Sequence, residues 1–136
     1  MLEPYNKINL ISRYQVYRDT RRYDKALAAV DEVLALFPGD SGVLVDRMII
    51  LFKGGDVKAA ENLADRLLEA DSSLTDPFYV KAYIAERKGR IQDAIGWYSA
   101  FLARSPKPSD AKLATHRRDS LSTLLHPKPD SATQSP

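Results

Sequence analysis

Apolar residues recur along this chain at the three- and four-residue steps of an α-helix, in runs broken by short polar turns. Leu10, Tyr14 and Tyr17 continue one face. After Asp19-Thr20-Arg21-Arg22, a second face is formed by Ala26, Leu27, Val30, Val33 and Leu34. Lys53-Gly54-Gly55-Asp56 and Lys88-Gly89-Arg90 make the corresponding breaks further on, where a Gly just past a helix supplies the left-handed conformation that ends it. Pro38 and Pro106 follow second runs, where a helix cannot continue. Asn6, Ser41 and Thr75 precede apolar runs as N-cap candidates, with Pro77 in a first turn. The pattern predicts helices near 7–20, 23–37, 42–54, 57–70, 76–88, 91–104 and 110–124, their ends good to a few residues.

The runs repeat at a fixed interval. Ala26, Ala60 and Ala94 are 34 residues apart, as are Tyr23, Val57 and Ile91, and Pro38, Ser72 and Pro106. Gly55 and Gly89 share the interval, with Arg21 in the matching slot upstream. A fixed period of this size is the mark of a repeat architecture, each block reading helix, turn, helix, turn. The recurring Ala suits the crossing of two tightly packed antiparallel helices, where only a small side chain allows close approach. One hairpin alone cannot bury both of its apolar faces, so stacked neighbours must build a continuous core.

At these residues the chain resembles the tetratricopeptide repeat (TPR) family. From Lys7 the family's pattern falls on Leu10, Arg13, Tyr14, Tyr17, Ala26, Val30, Val33 and Pro38. From Ser41 it falls on Leu44, Arg47, Met48, Leu51, Ala60, Ala64, Leu67 and Ser72, and from Thr75 on Phe78, Lys81, Ala82, Ala85, Ala94, Tyr98, Phe101 and Pro106. The middle repeat is the least typical, lacking the aromatic and the Pro. The fold expected is an all-α, right-handed α-solenoid of three helix-turn-helix hairpins, with repeats about 7–40, 41–74 and 75–108. A capping helix at 110–125 closes a domain of residues 1–125, its face of Leu113, Ala114, Leu121, Leu124 and Leu125 interrupted by Arg117 and Arg118. The segment 126–136, with three prolines and no large apolar residue, is expected to be a disordered tail.

Composition adds limits more than detail. Hydrophobic content of 44% and charged content of 28% are those of an ordinary globular domain. The absence of cysteine excludes disulfides, thiolate metal sites and a Cys nucleophile. A net charge of +2, scattered rather than blocked, gives little support to nucleic-acid binding. No apolar run reaches membrane-spanning length, and no signal peptide is visible. A cytoplasmic location is the expectation, a periplasmic one if the chain is an excised domain.

Catalytic chemistry finds no support either. His116, Asp119 and Ser120 contain the residue types of a triad, but helical spacing lets His116 meet Ser120 while Asp119 points elsewhere. Two distant histidines make no metal site, so neither metal nor cofactor is expected. Acids such as Asp31, Glu61 and Asp65 lie among Arg and Lys as solvated helix faces. Gly54-Gly55-Asp56 lacks the strand and the Gly-Lys-Ser/Thr of a phosphate loop. Trp97, beside Tyr98 and followed by Phe101, is expected to pack in the core. Arg13, Arg47 and Lys81 share one slot, where the family usually carries an apolar residue. Stems that pack while the charge reaches an acid such as Asp31 or Asp65 explain them better than a basic ladder for an anion.

The resemblance also implies a site. Family members line a concave face with first-helix side chains, which here are Ile8, Ile11, Gln15, Arg18 and Asp19; Gly42, Val45, Ile49, Phe52 and Lys53; and Asp76, Tyr79, Tyr83, Glu86 and Arg87. The Lys/Asn/Arg set with which some members clamp a C-terminal carboxylate is replaced by Ile11, Gln15 and Val80, so no such clamp is expected. What remains is an apolar and aromatic strip, Ile11–Val45–Ile49–Phe52–Tyr79–Tyr83, edged by Arg18, Lys53, Glu86 and Arg87. The residues expected to bind a partner are Ile11, Val45, Ile49, Phe52, Lys53, Tyr79, Tyr83 and Arg87. The expected function is a non-catalytic scaffold that holds an amphipathic helix or extended segment of another protein within a larger assembly. The alternative is a structural or self-association module of a longer protein with no peptide ligand.

Overall fold

The computed structural model describes residues 4–104 and 106–126. Its helices are α1 (Pro4–Asp19), α2 (Tyr23–Leu36), α3 (Ser41–Lys53), α4 (Val57–Ala70), α5 (Asp76–Arg87), α6 (Ile91–Leu102) and α7 (Pro108–Leu125), with no strand among the described residues. The all-α hairpin order expected from the period is what forms: α1 packs on α2, α3 on α4 and α5 on α6, and α7 packs against α6.

The period is written into the hydrogen bonds of the turns. The Arg22 N–H donates to the Tyr17 carbonyl at 2.8 Å and the Arg21 N–H to that of Arg18 at 3.0 Å. Thirty-four residues on, Asp56 and Gly55 do the same to Leu51 and Phe52, and then Arg90 and Gly89 to Ala85 and Glu86. Each turn needs its middle residue in the left-handed region: φ is 61° at Arg21, 94° at Gly55 and 75° at Gly89. The first hairpin thus makes with Arg the turn that the other two make with Gly.

Ala26, Ala60 and Ala94 are all fully buried, as close helix crossings require. The core falls into three clusters. Tyr14, Ala26, Val30 and Val33 pack with Ile50; Met48, Ala60, Ala64 and Leu67 pack with Val80 and Ile84; Phe78, Ala94, Tyr98 and Phe101 pack with Ala114 and Leu121 of α7. Trp97 lies against the third cluster, its ring 5.8 Å from that of Phe78.

Helix starts differ from expectation in instructive ways. α1 begins at Pro4, so Asn6 lies inside it. Asp40, not Ser41, caps α3, its carboxylate accepting from the Val43 N–H at 3.1 Å. Asp56 caps α4 through Ala59. Thr75 holds the N-cap position of α5 without a side-chain cap bond, with Pro77 in the first turn as expected. α7 opens at Pro108, which carries Ser109 and Asp110 into its first turn. Of the expected tail, residues 127–136 lie outside the described residues. No described helix is long and apolar enough to cross a membrane.

Candidate functional site

α1, α3 and α5, the first helices of the three hairpins, share one face of the array. At helical spacing Val45, Ile49, Phe52 and Lys53 follow one another along α3, and Asp76, Tyr79, Tyr83 and Arg87 along α5. Ile11, Val45, Ile49, Phe52, Tyr79 and Tyr83 are all half-buried, while Lys53 and Arg87 are exposed.

These residues are not one uniform strip. Two concavities stand at opposite ends of the helices. The first, an open cavity of about 480 Å³, has Ile11, Val45 and Leu74 as apolar lining and Asp40, Asp46 and Asp76 as its charges. The second, about 600 Å³, is lined by Phe52, Val57 and Tyr83, with Lys53, Arg87 and Lys88 around it. Ile49 lies between them on the second core cluster. Tyr79 is engaged by the core: its ring stands edge-on to Tyr98 at 5.8 Å and to Phe101 at 5.3 Å. Burial pushes the Tyr79 phenol above its ordinary pKa.

The acidic end is held differently at each carboxylate. Lys7 reaches Asp40 at 2.6 Å, and that hydrogen bond, with the Val43 N–H, keeps Asp40 below the usual carboxylate range. Asp46 accepts the Tyr14 hydroxyl at 2.5 Å, with Arg18 at 3.9 Å. Tyr14 is fully buried, and burial followed by the bond to Asp46 raises its pKa well above that of a free phenol. Asp76 has no ion-pair partner among the described residues. It keeps exposed surface, yet the surrounding walls exclude enough water to raise its pKa, and Asp110 and Asp46 add repulsion.

The basic end has an aromatic centre. Tyr83 stands edge-on to Phe52 at 5.0 Å, and its hydroxyl accepts from Arg87 at 3.2 Å. A second cation comes from α7, where the Arg117 guanidinium lies 5.1 Å from the Tyr83 ring centre and pairs with Glu86 at 3.2 Å. Glu86 also accepts the hydroxyl of fully buried Tyr98 at 2.8 Å. Arg117, an interruption in the apolar pattern of its own helix, is therefore the residue that ties α7 to α5. Nothing in the sequence signals this, because its partners lie a hairpin away.

The slot shared by Arg13, Arg47 and Lys81 faces second helices instead of this surface. Arg13 pairs with Glu32 at 3.0 Å, Arg47 with Asp31 at 2.9 Å and Lys81 with Asp65 at 2.7 Å. Half-buried stems with charges reaching acids are what Arg47 and Lys81 show, while Arg13 reaches its acid from an exposed position. His116 is exposed, and no hydrogen bond joins it to Asp119 or Ser120 among the described residues; Asp119 pairs instead with Arg118 at 3.3 Å. No cluster of His, Cys, Asp and Glu fit to hold a metal ion occurs among the described residues.

Comparison with known proteins agrees with this architecture. The tetratricopeptide repeat family model matches residues 17–77. Among solved structures, the first TPR domain of Spaghetti (RPAP3), bound to the HSP90 peptide SRMEEVD, superposes with a TM-score of 0.73 at 16% identity, covering 92% of this chain and 97% of that one. The first TPR domain of human RPAP3, determined by NMR, gives a TM-score of 0.73 at 17% identity, covering 91% and 95%. No curated protein sequence matches the chain.

Proposed function

We propose that this chain, matched by the tetratricopeptide repeat family model over residues 17–77 and sharing the fold of TPR domains, is a non-catalytic scaffold whose first-helix face holds a segment of a partner protein. The observation that carries the reading is the row of six half-buried side chains from Ile11 to Tyr83, four of them lining two charge-bordered concavities and two, Ile49 and Tyr79, lying between. The Spaghetti TPR domain of the same fold is described with an HSP90 peptide bound, which supports peptide recognition as a use of this fold. Recognition here rests on different chemistry, since Ile11, Gln15 and Val80 stand in the slots of a carboxylate clamp. Tyr83 is the expected anchor: its ring is half-buried, and aromatic side chains of this kind dominate interface energies.

The test is affinity capture from the native source with the wild type and with Val45→Gln combined with Tyr83→Ala. The expected result is a partner held by the wild type and lost by the double variant, with the helical circular dichroism of both unchanged. Equal capture by the two proteins moves the binding surface elsewhere. A concentration-dependent dimer in light scattering, with no partner captured, favours the self-association module.

A further inference from the structure

The two concavities are opposite in charge and share the same pair of helices. Asp40 at the N-cap of α3 and Asp76 in the first turn of α5 mark the start of the face, with Asp46 midway along α3; Lys53 and Arg87, in the last turns, mark its end. Acids at helix starts and bases at helix ends complement the helix dipole. That bias explains the sign at each end, but not why Asp76 and Lys53 lack an ion-pair partner among the described residues. The raised pKa of Asp76 agrees with this: the walls around the carboxylate displace water, Asp110 and Asp46 repel it, and Lys107 offsets them only in part.

The distance between the two ends sets the size of an occupant. From Asp76 to Arg87 the helix rises about 17 Å at roughly 1.5 Å per residue, which an extended chain covers in about five residues. Between the ends the floor is filled by Ile49 and by Tyr79 on its core partners, and Arg117 leans in over Tyr83. A floor filled in this way, with Arg117 over the basic end, favours an extended backbone over a helix, which is about 10 Å wide.

Resting on the reading of this face as a partner-binding groove, we propose that it selects an extended segment of another protein with an Arg or Lys at one end, apolar residues between, and an Asp or Glu at the other. The cation enters beside Asp76 and Asp46 over Ile11 and Val45. The acid meets Lys53 and Arg87 beside Tyr83. Charge complementarity at both ends sets the direction in which the segment lies.

Three fluorescent peptides of equal length test this, each with the same apolar centre: one ending in Arg and Glu, one with Arg at both ends, one with Glu at both ends. The mixed peptide is expected to bind the wild type about three- to tenfold more tightly than either of the others, the range that partly exposed ion pairs allow. The protein's net charge of +2 would by itself favour the Glu peptide, so a preference for the mixed one reports the local field. Lys53→Glu with Arg87→Glu, both exposed positions, is expected to turn the preference to the double-Arg peptide. Equal binding of all three peptides that is abolished by Val45→Gln with Tyr83→Ala overturns the charge assignment and leaves the groove standing. Binding indifferent to that apolar double variant, or absent for every peptide, removes the groove reading and the proposal with it.

Discussion

Replacing Tyr14 by Phe removes one oxygen from the interior and should leave a signature that depends on pH. The Tyr14 hydroxyl is buried and donates to Asp46 at 2.5 Å, linking α1 of the first hairpin to α3 of the second. A hydrogen bond to a charged acceptor contributes about 1.5–3 kcal/mol, and half-buried Asp46 regains part of that from water and from Arg18 at 3.9 Å. The expected loss near neutral pH is therefore about 1.5 kcal/mol. The phenol's folded pKa lies above its unfolded value. Its contribution is then fully present below the unfolded pKa of about 10 and declines as pH rises beyond it, by about 1.4 kcal/mol per pH unit. Phe cannot ionise, so the variant escapes that decline. Its deficit should shrink from about 1.5 kcal/mol near neutrality to about zero one pH unit above 10. Tyr79 and Tyr98, whose pKa values are also raised, are present in both proteins and cancel in the difference. Urea unfolding followed by circular dichroism across this range measures it. A deficit that stays constant through the alkaline limb would refute the argument that Tyr14 stays un-ionised in the fold.

Three further outcomes are expected. Ala60→Leu and Ala94→Leu should each overpack a fully buried helix crossing and cost roughly 1–3 kcal/mol, read as lower denaturant midpoints; unchanged midpoints for both would take these residues out of the crossings. Arg21→Gly should stabilise the protein by up to about 1 kcal/mol, because a non-Gly residue at φ 61° is strained and the other two turns already use Gly. Arg117→Ala should cost about 1–2 kcal/mol and lower amide protection in α7 more than in α1, since it leaves Glu86 without its cation and uncovers Tyr83.

What could be read in the sequence follows the range of each interaction. The hairpins were legible because the period places Ala26, Ala60 and Ala94 at equivalent crossings, and because turns are local events. The partners of Arg47 and Lys81 were legible as well, since adjacent repeats bring Asp31 and Asp65 to a predictable neighbouring helix. Caps were less so: Ser41 is the better-placed hydroxyl, but Asp40, one residue earlier, reaches the Val43 N–H. The face from Ile11 to Tyr83 is implied by the resemblance to the repeat family, whereas its division into an acidic and a basic concavity is not. That division depends on which helix ends meet and on Tyr79 turning toward Tyr98 and Phe101, a contact between helices that no local pattern encodes.

The contacts of this array run chiefly between consecutive helices, with α3 against α5 the step beyond. Short loops close each pairing, so folding is expected to be fast and to begin at any hairpin. The three core clusters are correspondingly separable, and either end can open while the remainder stays packed. A partner segment of the kind proposed, lying across α3 and α5, would act on such a chain as a clasp. Opening the middle hairpin then requires release of the segment as well, and the binding free energy is added to the free energy of opening. Hydrogen exchange in α4 beyond Val57, the residue by which that helix lines the second concavity, would then gauge whether the proposed groove is occupied.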